Sequence, residues 1–128
     1  MKLISFGYLH GPAPEADLTV DVRRYLYDPA TWDELLNQDG RDFEVRRFVF
    51  QSSLATDTTD WLSNIASDMV MGSIPFTIAV GCAGGRHRSV AIIEAVAIQL
   101  RADGLEVEVV HRDVERPRLP LHGKRKEE

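Results

Sequence analysis

Positions 81–89 read GCAGGRHRS, which places a thiol, two guanidinium groups, an imidazole and a hydroxyl around a pair of glycines. Cys82, five intervening residues, Arg88 and Ser89 make a C-x5-R-[ST] spacing. In cysteine-dependent phosphatases that spacing lets a thiolate attack phosphorus while loop N–H groups and the arginine fork hold the equatorial oxygens. A cysteine at a helix N-terminus beside arginines would also have the lowered pKa a nucleophile needs. The same residues support a second reading. Cys82 is then a small apolar residue ending a buried strand, and the loop binds phosphate without reacting. Two features favour binding over turnover. Gly81 stands where a histidine normally precedes the phosphatase cysteine. None of Asp21, Asp57, Asp60 and Asp113 lies in a recognisable acid-loop motif, so no group is identified to protonate a leaving group. No catalytic residue is assigned; Cys82 and Arg88 are kept for the enzyme alternative.

Such a loop needs a strand to enter it and a helix to leave it. Phe76, Ile78 and Val80 form an apolar run of strand length. After Ser89, residues 90–100 are apolar nearly all round, which predicts a helix over about 88–102 buried against a sheet or in a subunit interface. Strand, glycine-rich turn and helix start gather free N–H groups at the positive end of a helix dipole, an arrangement that binds anions and phosphate above all. The predicted phosphate site is Cys82, Ala83, Gly84, Gly85, Arg86, His87, Arg88 and Ser89. Asp21 and Arg23, two apart on a predicted strand, share a face and form either a polar wall of that pocket or an exposed ion pair.

The remaining elements follow from period and punctuation. Residues 2–8 read as a first strand, and 10–14, with two prolines and a glycine, as a loop. Residues 18–23 read as a second strand and 31–36 as a short helix with acids in its first turn. Residues 43–54 read as a helix. Asp57–Asp60 reads as a capping box opening another, whose Trp61, Leu62, Ile65, Ala66, Met69 and Val70 form a core stripe stopped at Gly72. Asp103 and Gly104 close the helix after the glycine loop, and 105–110 alternates like a half-open strand, parallel to 76–81 through a βαβ crossover. The predicted fold is α/β, with about four mostly parallel strands and helices packed on both faces. Residues 1–116 make one domain, and 117–128 a charged, mobile tail.

Composition narrows the function classes. A chain of 128 residues holds one core. With 44% hydrophobic and 27% charged residues it is ordinary for a globular protein. A single cysteine excludes a disulfide framework and, with four scattered histidines, a cysteine-based zinc site; no metal and no cofactor are predicted. No signal peptide or membrane-length run is present, so a cytoplasmic location away from membranes is expected. The net charge of −5 argues against bulk nucleic-acid affinity, yet positions 112–126 carry six basic residues against Asp113 and Glu115.

Four collinear segments, GCAGGRHRSV, FGYLHGPAPEAD, DVRRYLYDP and HRDVER, together resemble the C-terminal domain of the RapZ/YvcJ proteins over nearly the whole chain. The resemblance implies an α/β domain that senses a phosphorylated amino sugar, binds small regulatory RNAs as an adapter for a ribonuclease, and assembles into oligomers. Asp21, Arg23, the 82–89 loop and 111–113 are the matching positions. His111, Arg112, Arg116, Arg118, Lys124, Arg125 and Lys126 become the candidate RNA contacts. Full-length members also carry an N-terminal P-loop nucleotide-binding domain. This chain has no G-x4-GK-[ST], so a stand-alone C-terminal domain is expected, without the ATP-linked function. Family members often place a histidine or bulky aromatic after the DVR…P motif, where this chain has Ala30.

Three classes of function stand side by side at this point. The first, and the one adopted, is a module that binds a phosphorylated small molecule, with a structured small RNA as second partner. The second is the C-x5-R phosphatase. The third is an oligomerising module whose apolar helix forms a subunit interface.

Overall fold

A computed structural model describes residues 1–117. Four strands form one sheet: β1 (Lys2–Gly7), β2 (Leu18–Asp21), β3 (Thr77–Cys82) and β4 (Glu108–His111). Their order is β2-β3-β1-β4 and every pairing is parallel. The two central strands are buried almost along their length, while β2 and β4 at the edges are half-open. Near-continuous apolar runs such as LISF and TIAV are what a strand covered on both faces requires. Leu3 pairs with Ile78, and Gly7 with Cys82, so β1 and β3 end level at the carboxyl edge.

Four helices of α type follow in chain order: α1 (Asp33–Leu36), α2 (Phe43–Val49), α3 (Ser53–Met71) and α4 (Arg88–Ala102). Helix α4 lies across β1 and β3, and α2 and α3 pack on α4. Most of its apolar circumference is therefore covered within a single chain: Val90, Ala91, Ile92, Ile93, Val96 and Leu100 are buried among Leu3, Ile78, Val80 and the apolar sides of α2 and α3, while Ile98 is left 54% exposed. The buried part of the helix is explained by packing within the chain. The α4 helix ends in a Schellman turn, with Gly104 at φ +83° and the Leu105 N–H donating to Leu100 O at 3.0 Å.

Several boundaries differ from the sequence reading. The helices and the core they share lie on one face of the sheet, where both faces were expected to carry them. The other face holds a small cluster of Ile4, Phe6 and Ala79, with Tyr8, Ala16 and Val110 packed against it. Pro12 and Pro14 bar a longer helix in the 8–17 segment, so the single 3-10 turn Tyr8–His10 and irregular chain supply that cover. The expected helix over 43–54 breaks at Phe50–Ser52 because the Ser52 hydroxyl accepts from the Leu54 N–H and caps α3. Asp57–Asp60 thus lies inside α3, not at its start. Trp61 turns outward and is 51% exposed, whereas Leu62 and Ala66 are in the core. The last strand begins at Glu108 in place of 105, and although β3 and β4 are joined by α4 as predicted, β1 lies between them.

Candidate functional site

The carboxyl edge of the sheet brings together Tyr8, Asp21, Arg23 and the 82–89 loop. In open parallel sheets this is the edge at which ligands bind. β3 delivers Cys82, and the chain then turns through Ala83–His87 into α4. The turn is fixed from below. A Cβ at Gly7 would overlap the backbone of Gly84 and Gly85, and one at Gly85 would fall 2.8 Å from Phe6 C and 2.9 Å from Asp113 Cβ. Gly85 also holds φ +71°, a conformation that glycine adopts without steric cost. Gly84 has open space where its Cβ would be, so the loop is tight against β1 and clear on its other side.

The N–H groups of Ala83, Gly84, Gly85, Arg86 and His87 donate to no acceptor among the described residues. The carbonyls of the same loop are partly used, Ala83 O by the Leu9 N–H (3.0 Å) and Arg86 O by the Gly40 N–H (2.8 Å). Leu9 and Gly40 thus pin the loop through its oxygens and leave its donors unspent. Donors left open at the head of a 15-residue helix add to the positive end of its dipole.

The loop side chains divide into anchors and groups with unused capacity. Arg86 donates to Gln38 O (3.2 Å) and Asn37 O (2.8 Å), tying the loop to the end of α1. Cys82 is buried with its Sγ 3.2 Å from the Ser89 hydroxyl, itself fully buried. His87 is buried, its Nε2 has no partner among the described residues, and burial pushes its pKa below the usual value despite the Asp28 charge nearby. Arg88 is 6% exposed, donates from Nη1 to Arg23 O at 2.8 Å, and holds Asp28 at 3.5 Å. Its Nε is buried without an acceptor among the described residues.

Asp21 and Arg23 form a two-point pair, with Arg23 Nε and Nη2 donating to Asp21 at 2.7–3.1 Å. Those hydrogen bonds hold Asp21 below the ordinary carboxylate pKa, with Arg88 adding to the effect. The Arg23 guanidinium lies 3.9 Å over the Tyr8 ring, whose own pKa is raised by burial and by Asp21. The pair is partly exposed, at 43% and 35% for the two side chains. It is therefore a rim beside the loop, combining features of both sequence readings.

The other predicted residues lie elsewhere. His111 is enclosed between Ser5 Oγ and Glu94, each 2.7 Å from a ring nitrogen. Arg112 reaches Pro12 O, Gly7 O and Asp113, and Arg116 pairs with Asp113 at 2.9 Å. Asp113, 1% exposed, accepts from the Gly7 N–H at 2.8 Å. Asp113 lies under the loop beside Gly85, and Arg112 and Arg116 hold it there. Arg118, Lys124, Arg125 and Lys126 lie outside the described residues, as does the tail from 118 onward. A hollow of about 610 Å³ at the opposite end of the sheet, lined by Met1, Arg101, Leu105, Glu106, Val107 and Glu108, has no part in this site. Among the described residues there is no cluster of metal ligands and no helix long and apolar enough to cross a membrane.

Sequence reasoning missed Gly7, Tyr8, Asp28 and Gly40 as parts of the site. Gly7 and Gly40 were visible only as glycines; their role is close backbone approach to the loop and to α4, which no local pattern reveals.

An all-parallel α/β domain with a glycine-rich strand–loop–helix at its carboxyl edge is thus the class. The chain belongs to the RapZ C-terminal domain family, whose pattern it matches over residues 1–115. It is 45% identical over 123 residues to a nucleotide-binding protein of Thermus thermophilus, covering 91% of this chain and 43% of that protein. Similar proteins of Thermobifida fusca (40% over 120 residues) and Trichlorobacter lovleyi (38% over 121 residues) are also named nucleotide-binding proteins. The chain spans about two-fifths of the length of these relatives.

Proposed function

We propose that this domain binds the phosphate ester of a small metabolite in the 82–89 loop and acts as a sensing module, not as an enzyme. The observation that carries the reading is the row of unspent N–H donors from Ala83 to His87 at the head of α4, with the unsatisfied Nε of Arg88 behind it. A phosphoryl group brings three acceptor oxygens, which is what such a row of donors lacks. The rim pair Asp21–Arg23 supplies a carboxylate and a guanidinium for the remainder of the ligand. By family resemblance that remainder is an amino sugar, whose ammonium would meet Asp21. The word nucleotide-binding belongs to relatives more than twice this length; it agrees with a phosphoryl ligand in general, and this chain carries no G-x4-GK-[ST].

The phosphatase alternative is weaker. Cys82 is buried and shares a hydrogen bond with Ser89, an arrangement that suits packing under the loop more than in-line attack. RNA adaptation and oligomer formation remain attached to the family resemblance. The described basic candidates His111, Arg112 and Arg116 are engaged within the fold, so the phosphate module is the reading we carry.

Calorimetric titration with a hexosamine 6-phosphate, with the free hexosamine as control, tests the proposal. Binding of the phosphate and not of the free sugar is expected. Arg88→Lys, which keeps charge but loses the planar fork, should bind about tenfold more weakly. Equal affinity for the sugar with and without phosphate would contradict the proposal.

A further inference from the structure

Asp28 stands against the loop where the buried Arg88 guanidinium is short of acceptors and the neutral His87 ring lies beside it. Arg88 and His87 are each 6% exposed, and each keeps a ring or guanidinium nitrogen without a partner among the described residues. The internal anion offered to them is Asp28. Its Oδ2 is 3.5 Å from Arg88 Nη2, a long separation for an ion pair, and it leaves Arg88 Nε unsatisfied. Its Oδ1 accepts from the Ala30 N–H at 3.0 Å and caps the short turn Pro29–Thr31, and Thr31 Oγ1 donates to Asp28 O at 2.8 Å. Asp28 is thus held by the turn and only loosely by the arginine.

We propose that Asp28 is a built-in competitor for the phosphate site, occupying Arg88 in the free protein until a phosphoryl group displaces it. The inference rests on the phosphate reading of the loop and adds how that site is regulated. A phosphoryl group can take Arg88 Nε and Nη2 side-on with two oxygens, which a single carboxylate oxygen at 3.5 Å does not do. Once that happens the carboxylate and the phosphoryl group are like charges competing for one guanidinium, and their repulsion disfavours both staying against it. Asp28 therefore sets a threshold: ligand binds only when its interaction with Arg88 exceeds the one already present.

Asp28→Asn tests this, because its side-chain carbonyl still caps the Ala30 N–H while the charge is gone. Asp28→Ser also keeps a capping oxygen and is the second variant. Calorimetry with inorganic phosphate at low ionic strength should show binding about fivefold to tenfold tighter than wild type, with the gain shrinking as salt is added. A gain in either folded variant, including phosphate binding where wild type shows none, supports the competitor role. Wild-type binding with unchanged or weaker affinity in both variants overturns it and leaves the phosphate site standing. No phosphate binding by any of the three proteins overturns the phosphate reading and this inference together.

Discussion

Asp113→Ala should destabilise the protein by about 2–4 kcal/mol and loosen the loop without touching it. The carboxylate is fully buried and accepts from the Gly7 N–H at 2.8 Å, so truncation strands that donor at a cost of about 1–3 kcal/mol. It also removes the partner of Arg112, whose side chain is 26% exposed, and of Arg116 at 53%. Arg112 keeps Pro12 O and Gly7 O, and the Arg116 pair is exposed enough to contribute only about 0–1 kcal/mol. Asp113→Asn, which can still accept from Gly7, should lose about half as much. Burial by itself raises the Asp113 pKa, but the Arg112 hydrogen bonds, the Gly7 N–H and the Arg112 charge outweigh it, and the net shift is downward. A carboxyl group depressed in the folded state stabilises above its unfolded pKa of about 4. That contribution is lost as pH falls through the lower folded value. Urea unfolding at pH 7 and at a series of points below pH 4.5 should therefore give a steep acid limb for wild type and a shallower one for Asp113→Ala. A loss under 0.5 kcal/mol at pH 7, or acid limbs that superimpose, would refute the reasoning.

Gly85→Ala should cost about 2–4 kcal/mol, from φ +71° and from overlap with Gly7, Phe6 and Asp113, whereas Gly84→Ala, with open space at its Cβ, should melt within about 0.5 kcal/mol of wild type. Thermal denaturation of the pair distinguishes a loop packed on β1 from one that merely tolerates side chains. Cys82→Ser should leave phosphate-ester affinity within about 1 kcal/mol of wild type, the scale of one hydrogen bond, and both proteins should be nearly inert toward an aryl phosphate. Ready hydrolysis by wild type, abolished in the serine variant, would restore the phosphatase reading. Burial depresses the His87 pKa below 6.5, so its neutral form is favoured in the fold. Stability from that source is complete above pH 6.5 and declines as pH falls toward the lower folded value. A His87→Gln variant should show a flatter stability profile between pH 7 and 5 than wild type.

The parts of the fold legible in the sequence are those set by strong local patterns. The runs LISF and TIAV are apolar enough to be central strands, and the 90–100 run is apolar enough to be a buried helix; both are where the pattern puts them. Gly104 after the last helical residue was a readable stop. What could not be read was choice between local signals of similar strength. Ser52 and Asp57 are both good caps, and Ser52 wins because starting there seats Ala55 and Leu62 in the core. The placement of every helix on one face is a property of the chain crossing, which periodicity does not encode. At the site, the glycine-rich loop was legible because small residues between an apolar strand and an apolar helix leave few alternatives. The occupation of Arg86 by Asn37 and Gln38, of His111 by Ser5 and Glu94, and of Arg88 by Arg23 and Asp28 was not, because each pairing joins residues 17 to 106 positions apart. Counting basic residues between 112 and 126 gave a charge run. The structure shows that Arg112 and Arg116 spend that charge on a single buried carboxylate.

Amide-resolved NMR titration of the 15N-labelled chain with a hexosamine 6-phosphate tests the loop assignment most directly. The N–H resonances of Gly84, Gly85, Arg86 and His87 should move together and saturably, accompanied by the Arg88 side-chain Nε–H. Free hexosamine at the same concentration should leave them in place. Loop amides that stay fixed at millimolar phosphate ester, or shifts confined to the hollow around Arg101 and Leu105, would contradict a phosphate site in the 82–89 loop.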